Sequence, residues 1–301
     1  MKNIDLNLRP GEIVEVLSQS EIVASLNENR ELEQLPFTPE MWRFCGKRFK
    51  VRSCPRRIAV EPIGIRGIGK VVILEGATCN GNAHGGCDRT CQLLWKEAWL
   101  KRVERKDEEL KMPFPQTERP RNFVMDTQPC QSACLLKATS PLSWETKQDS
   151  GKNAKSATAV PKKIYAILVS TSLGIRAIGK KKHPITGKLK KTPTFSLGLQ
   201  PGEIVEVKSE EEILETLDLK GRNRGLVFGE EMLKFCGKKF RVLKRVERAI
   251  TEVNGQMRQV TNTVILESVT CDGSAHGGCP RNCFCLWREV WLTRAKPQRS
   301  A

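Results

Sequence analysis

The chain has 301 residues, of which 39% are hydrophobic, enough for two ordinary domains with real cores. It contains no run of eighteen apolar residues, and its first residues, MKNIDLNLRPGEIVEV, lack the apolar centre of a signal peptide. The expectation is a soluble, cytoplasmic protein with no membrane association. In that compartment the twelve cysteines are thiols or metal ligands; in a secreted chain they would instead form a disulfide framework. The formal charge of +17 is uneven. Residues 6–103 hold fifteen basic against eleven acidic side chains, 104–195 eighteen against eight, and 196–295 fifteen against fourteen. An electrostatic partner is therefore sought by the middle of the chain.

The first nine-residue landmark, LRPGEIVEV from Leu8, returns as LQPGEIVEV from Leu199, and the two copies then run without a gap at an offset of 191 as far as FCGKRFKV and FCGKKFRV, the offset becoming 192 by the last strand before the cysteine loop. A repeat of this length suits two duplicated globular domains, 6–103 and 196–295, and not a solenoid. Each copy opens with a Pro-Gly turn and a strand, Gly11 to Val16 and Gly202 to Val207, whose β-branched residues alternate with glutamates. Ser18-x-x-Glu21 and Ser209-x-x-Glu212 are capping boxes that predict a short amphipathic helix. Thr38-Pro39-Glu40-Met41, matched by Gly229-Glu230-Glu231-Met232, predicts one or two helical turns ending at Cys45 and Cys236. Strands resume at Lys47 to Val51 and Val72 to Glu75, and at Lys238 to Val242 and Val264 to Glu267.

After the last of these strands comes CNGNAHGGCDRTC, Cys79 to Cys91, which recurs as CDGSAHGGCPRNC, Cys271 to Cys283. Two of the three histidines in the chain, His84 and His276, occupy the same place in the two loops. Three thiols and one imidazole at this spacing suit a tetrahedral zinc site, with Cys79, His84, Cys87 and Cys91 as ligands in the first copy and Cys271, His276, Cys279 and Cys283 in the second. The expected content is two zinc ions per chain. Gly85-Gly86 and Gly277-Gly278 would let the backbone turn sharply between ligands. The opposing reading is small buried cysteines in a tight turn.

Cys45 and Cys236 recur in register too, and three readings stay open for them: buried apolar residues, reactive thiols, or a fourth ligand that displaces the histidine. The last would give a four-cysteine set acceptable to an iron-sulfur cluster. The catalytic candidates are these two cysteines with Glu97 and Glu289, the recurring acids between paired tryptophans. Those tryptophans, Trp95 and Trp99, Trp287 and Trp291, fit one face of a helix or of a strand and are read as core. No nucleophile elbow, phosphate-binding loop or dinucleotide fingerprint is present.

The combined pattern FCGKRF, CxGxAHGGCxRxC and W-[KR]-E-x-W-L resembles a group of bacterial proteins that usually carry one copy of the unit. The resemblance covers both copies and not the connector, and it implies no established activity.

Residues 104–195 read as a basic, largely disordered connector. Between Lys152 and Lys191 lie eleven basic residues and no acidic one. Ile164 to Val169 is a short apolar run, and Gly-Ile-Arg-x-Ile-Gly-Lys occurs at Gly64 and again at Gly174, outside the main register. Cys130 and Cys134 have no counterpart. The fold expected is mostly β with short helices (α+β), two tandem SH3-like, partly open barrels each with a zinc loop. The expected function is a tandem zinc-stabilised binding or scaffold protein. Nucleic acid or another polyanion is the leading partner class through the connector, and a protein partner is the other. The alternative is a metalloenzyme or cysteine-dependent redox protein using Cys45 and Cys236.

Overall fold

A computed structural model describes residues 6–103, 129–142 and 185–295. Along the first copy, alternation of β-branched and polar residues produces β1 (Ile13–Val16), with Val14 and Val16 turned inward and fully buried. The Ser18 capping box then starts α1 (Gln19–Ser25): the Ser18 amide donates to Glu21 Oε2 at 2.9 Å, and the helix buries Ile22. A two-strand hairpin follows, β2 (Glu31–Leu32) and β3 (Leu35–Pro36), and then a 3-10 turn, Pro39–Phe44.

The main sheet is completed by β4 (Arg48–Ser53), β7 (Val71–Thr78), β8 (Gln92–Lys96) and β9 (Leu100–Arg102), while β5 (Arg57–Val60) and β6 (Gly64–Gly67) form a separate hairpin. The order is β8-β7-β4-β1-β9, antiparallel throughout. Only the 3-10 turn Glu97–Trp99 separates β8 from β9, yet they lie on opposite edges of five strands. The sheet must therefore curl until its edges approach. The tryptophan spacing is explained by the same turn: Trp95 lies on β8 opposite Val72, Trp99 ends the turn, and both are fully buried. The segment is neither one helix nor one strand. Phe37 packs edge-on against both indoles, at 6.0 and 5.1 Å between ring centroids.

Between the copies, α2 (Gln131–Cys134) lies within the stretch read as connector. Its Gln131 side chain donates to the Pro36 and Leu94 carbonyls and accepts the Leu94 amide, so this part is fixed to the first copy. Residues 185–195 run along the second copy through a Leu189–Asp218 bridge. The Ile164 run and the second Gly-Ile-Arg frame lie outside the described residues; the first frame begins β6.

The second copy rebuilds the same layout. Its elements are β10 (Ile204–Val207), α3 (Glu210–Leu214), β11 (Arg222–Asn223), β12 (Leu226–Val227), β13 (Lys239–Arg245), β14 (Arg248–Ile250), β15 (Met257–Gln259), β16 (Thr263–Thr270), β17 (Phe284–Arg288) and β18 (Leu292–Arg294). Its sheet has the order β17-β16-β13-β10-β18. The chain is thus mostly β, with two curled five-stranded sheets and few helices, and no described helix is long and apolar enough to cross a membrane.

Candidate metal centre

The loop after β7 is shaped by its own backbone. The Cys79 amide donates to the Cys91 carbonyl at 2.9 Å, closing the loop's neck, and the amides of His84 and Gly86 both donate to the Gly81 carbonyl, at 3.0 and 2.9 Å. Gly81 sits at φ +75°, and a Cβ there would lie 1.9 Å from the Cys87 carbonyl oxygen. Only glycine fits. Gly273 repeats this at φ +78°, 2.1 Å from the Cys279 oxygen.

This winding brings His84 back over Cys79, and the 3-10 turn Pro39–Phe44 supplies the third member. Glu40, Cys79 and His84 place their ligand atoms within 4.8 Å of one another, all three residues buried. Glu231, Cys271 and His276 bring their ligand atoms equally close in the second copy, where Cys271 is half-buried and His276 exposed. Among the described residues these are the two groups of three or more such side chains that could hold a metal ion. The Cys79 sulfur accepts the Gly81 amide at 3.3 Å and the Cys271 sulfur accepts that of Gly273 at 3.2 Å, as thiolate ligands commonly do. Glu40 Oε1 takes the Ala83 amide at 3.0 Å, while Oε2 faces His84 Nε2 at 3.0 Å without hydrogen-bond geometry. Glu231 Oε2 is likewise buried without a hydrogen-bond partner.

The electrostatics follow from this packing. Burial pushes the Glu40 carboxyl up, but the facing His84 and the backbone amides around the carboxylate together outweigh it, and the net shift is downward. Burial lifts the Cys79 thiol well above its usual range, with the Glu40 charge adding to the effect. In the second copy, the Cys271 sulfur and then Glu231 raise the His276 imidazole to about 10.

Of the eight expected ligands, Cys79, His84, Cys271 and His276 are therefore brought together, and Cys87, Cys91, Cys279 and Cys283 stand outside the two groups. Cys87 and Cys279 face the opposite copy: the Cys87 sulfur accepts the Ile250 amide, and the Cys279 sulfur accepts the Ala59 amide. Those amides lie on the equivalent hairpin strands β14 and β5, so each copy's loop rests on the other copy's hairpin. A Cβ at Gly86 would meet Arg248 Nη2 at 2.5 Å and one at Gly278 would meet Arg57 Nη2 at 3.1 Å. Those glycines thus also make room for an arginine from the other copy. Beside Cys283 lies Arg281, which is 3% exposed and donates to Glu252 at 2.8 Å. Burial raises the Cys283 thiol to about 12, against the pull of Arg281.

The other candidates lie elsewhere. Glu289 is fully buried and accepts the amides of Leu197, Gly198 and Leu199 at 2.5, 2.9 and 3.3 Å, while Arg245 Nη1 approaches it at 3.0 Å. Glu97 takes the Asn7 amide at 3.0 Å. Both carboxylates anchor the segment leading into a copy's first strand. Cys45 packs against the first core, and burial pushes its thiol up to about 11; burial raises Cys236 as well. Glu40 and Glu231 were missed from sequence, although Glu-Met is retained there in both copies. No protein-family model matches the chain, and the search of curated proteins found no match.

Proposed function

We propose that the protein is a tandem metal-stabilised binding or scaffold protein whose two copies each hold one zinc ion. The observation that carries the reading is the convergence of Glu40, Cys79 and His84, repeated by Glu231, Cys271 and His276, with a buried carboxylate oxygen in each group lacking a hydrogen-bond partner. A buried carboxylate oxygen without a partner is costly, and a cation would satisfy it. One thiolate, one imidazole and one carboxylate are donors that zinc accepts in one tetrahedral set. On this reading the curled sheets are partly open SH3-like barrels, and the metal ties the loop after β7 to the 3-10 turn before β4.

The basic stretch from Lys152 to Lys191 supports nucleic acid or another polyanion as partner, held through counterion release. Retention on nucleic acid that falls steeply with salt, and is lost when those lysines are neutralised, supports this part; salt-independent retention refutes it. The metal part is tested by double substitution of Glu40→Gln and Glu231→Gln, which should abolish zinc retention through dialysis while leaving the chain folded. One observation favours a metalloenzyme instead: each group supplies three side-chain ligands, the number found where a fourth position serves substrate or water.

A further inference from the structure

The two groups have the same ligands and different surroundings. In the first copy the His84 side chain is 2% exposed, whereas its counterpart His276 is 42% exposed. The Glu231 side chain beside His276 remains 8% exposed, its Oε2 without a hydrogen-bond partner. In the first copy α2 packs beside the 3-10 turn that carries Glu40, and among the described residues it has no counterpart in the second copy. Gln131 Nε2 reaches Met41 Sδ at 3.4 Å, next to Glu40, and Cys130 packs with Cys87. Beside the second group Lys234 is bonded at 2.6 Å to Asp272, itself adjacent to Cys271.

Resting on the metal reading above, we infer that the second site is an open coordination centre, where a metal held by Glu231, Cys271 and His276 takes its fourth ligand from solvent, either water or a small monodentate anion such as a carboxylate or thiolate. The first site has the same three donors but is buried from solvent. Three protein donors leave a tetrahedral ion one position short, and an exposed imidazole gives that position a path to solvent. Ligand exchange there breaks one metal–ligand bond and forms another, with no redox change.

Cobalt(II) loaded into the full-length protein reports its coordination through visible bands, and azide serves as the entering anion. The wild-type bands should shift on azide addition with saturable dependence. His84→Ala should lose about half the absorbance and keep the whole shift; His276→Ala should keep about half the absorbance and lose the shift. Two bound cobalt ions with no azide shift, or a shift that survives His276→Ala, would overturn the inference alone. Failure of the wild-type chain to take up cobalt would overturn the metal reading beneath it.

Discussion

The Ile250 amide of the second copy donates to the Cys87 sulfur of the first at 3.4 Å, and this bond places Cys87 at a junction between copies instead of at the metal group. Its counterpart, from Ala59 to Cys279, measures 3.3 Å. Replacing Cys87 by Ala leaves a buried amide without its acceptor, a loss of about 1–3 kcal/mol. Thermal melting should show that loss while zinc content stays at the wild-type value. A loss of one zinc equivalent would identify Cys87 as a ligand.

The junction is also polar. Asp88 Oδ2 accepts the amides of Glu247 and Arg248, both at 3.1 Å, and Oδ1 pairs with Lys244 at 2.8 Å. Asp88→Ala removes all three interactions at once. It should speed hydrogen exchange along β14 well before it affects β1 or β10, because the strain falls on the contact and not on either sheet.

Gly81 and Gly46 separate two causes of glycine dependence. Gly46 has φ +70° and open space around its missing Cβ, whereas Gly81 meets the Cys87 backbone. Gly46→Ala should cost about 1–2 kcal/mol, the penalty of the left-handed region alone. Gly81→Ala should cost more and also weaken zinc retention, since the loop can accommodate a methyl group only by opening. Stability by denaturant titration and zinc content together check both variants.

Glu289 tests whether a recurring buried acid is structural. Glu289→Gln keeps the shape but removes the charge that Arg245 and three amides face. Stability should fall by about 3–5 kcal/mol, as when one partner of a buried ion pair is lost, with metal content unchanged.

Cys45 has a pH signature. A thiol with its pKa near 11 holds only about a thousandth of its population as thiolate at pH 8. Alkylation at Cys45 should therefore be slow at neutral pH and rise about tenfold per pH unit towards pH 11. Rapid labelling at pH 7 would revive the reactive-thiol reading.

Much of this fold was legible because local chemistry decided it. The Ser18 and Ser209 capping boxes and the alternation in β1 and β10 need no tertiary information. The β2–β3 hairpin was missed because its turn residues, Glu33 and Gln34, take φ +50° and +62° without the Asn-Gly signal that usually marks such a turn. In the site, Cys79 and His84 were legible from spacing, since five residues with a forced left-handed glycine bring them together. Glu40 was not, because only tertiary folding carries the 3-10 turn to the loop. Cys87 and Cys91 follow the same ligand spacing, but spacing carries no information about the other copy, which claims the Cys87 sulfur.

The central claim is that each copy holds one zinc ion through a glutamate, a cysteine and a histidine. Elemental analysis combined with ultraviolet-visible absorption, on protein purified without a metal-binding tag, tests it most directly. The account predicts about two zinc ions per chain, falling to about one in Glu40→Gln, and no visible band. Absence of metal, or iron with visible absorption, would contradict it.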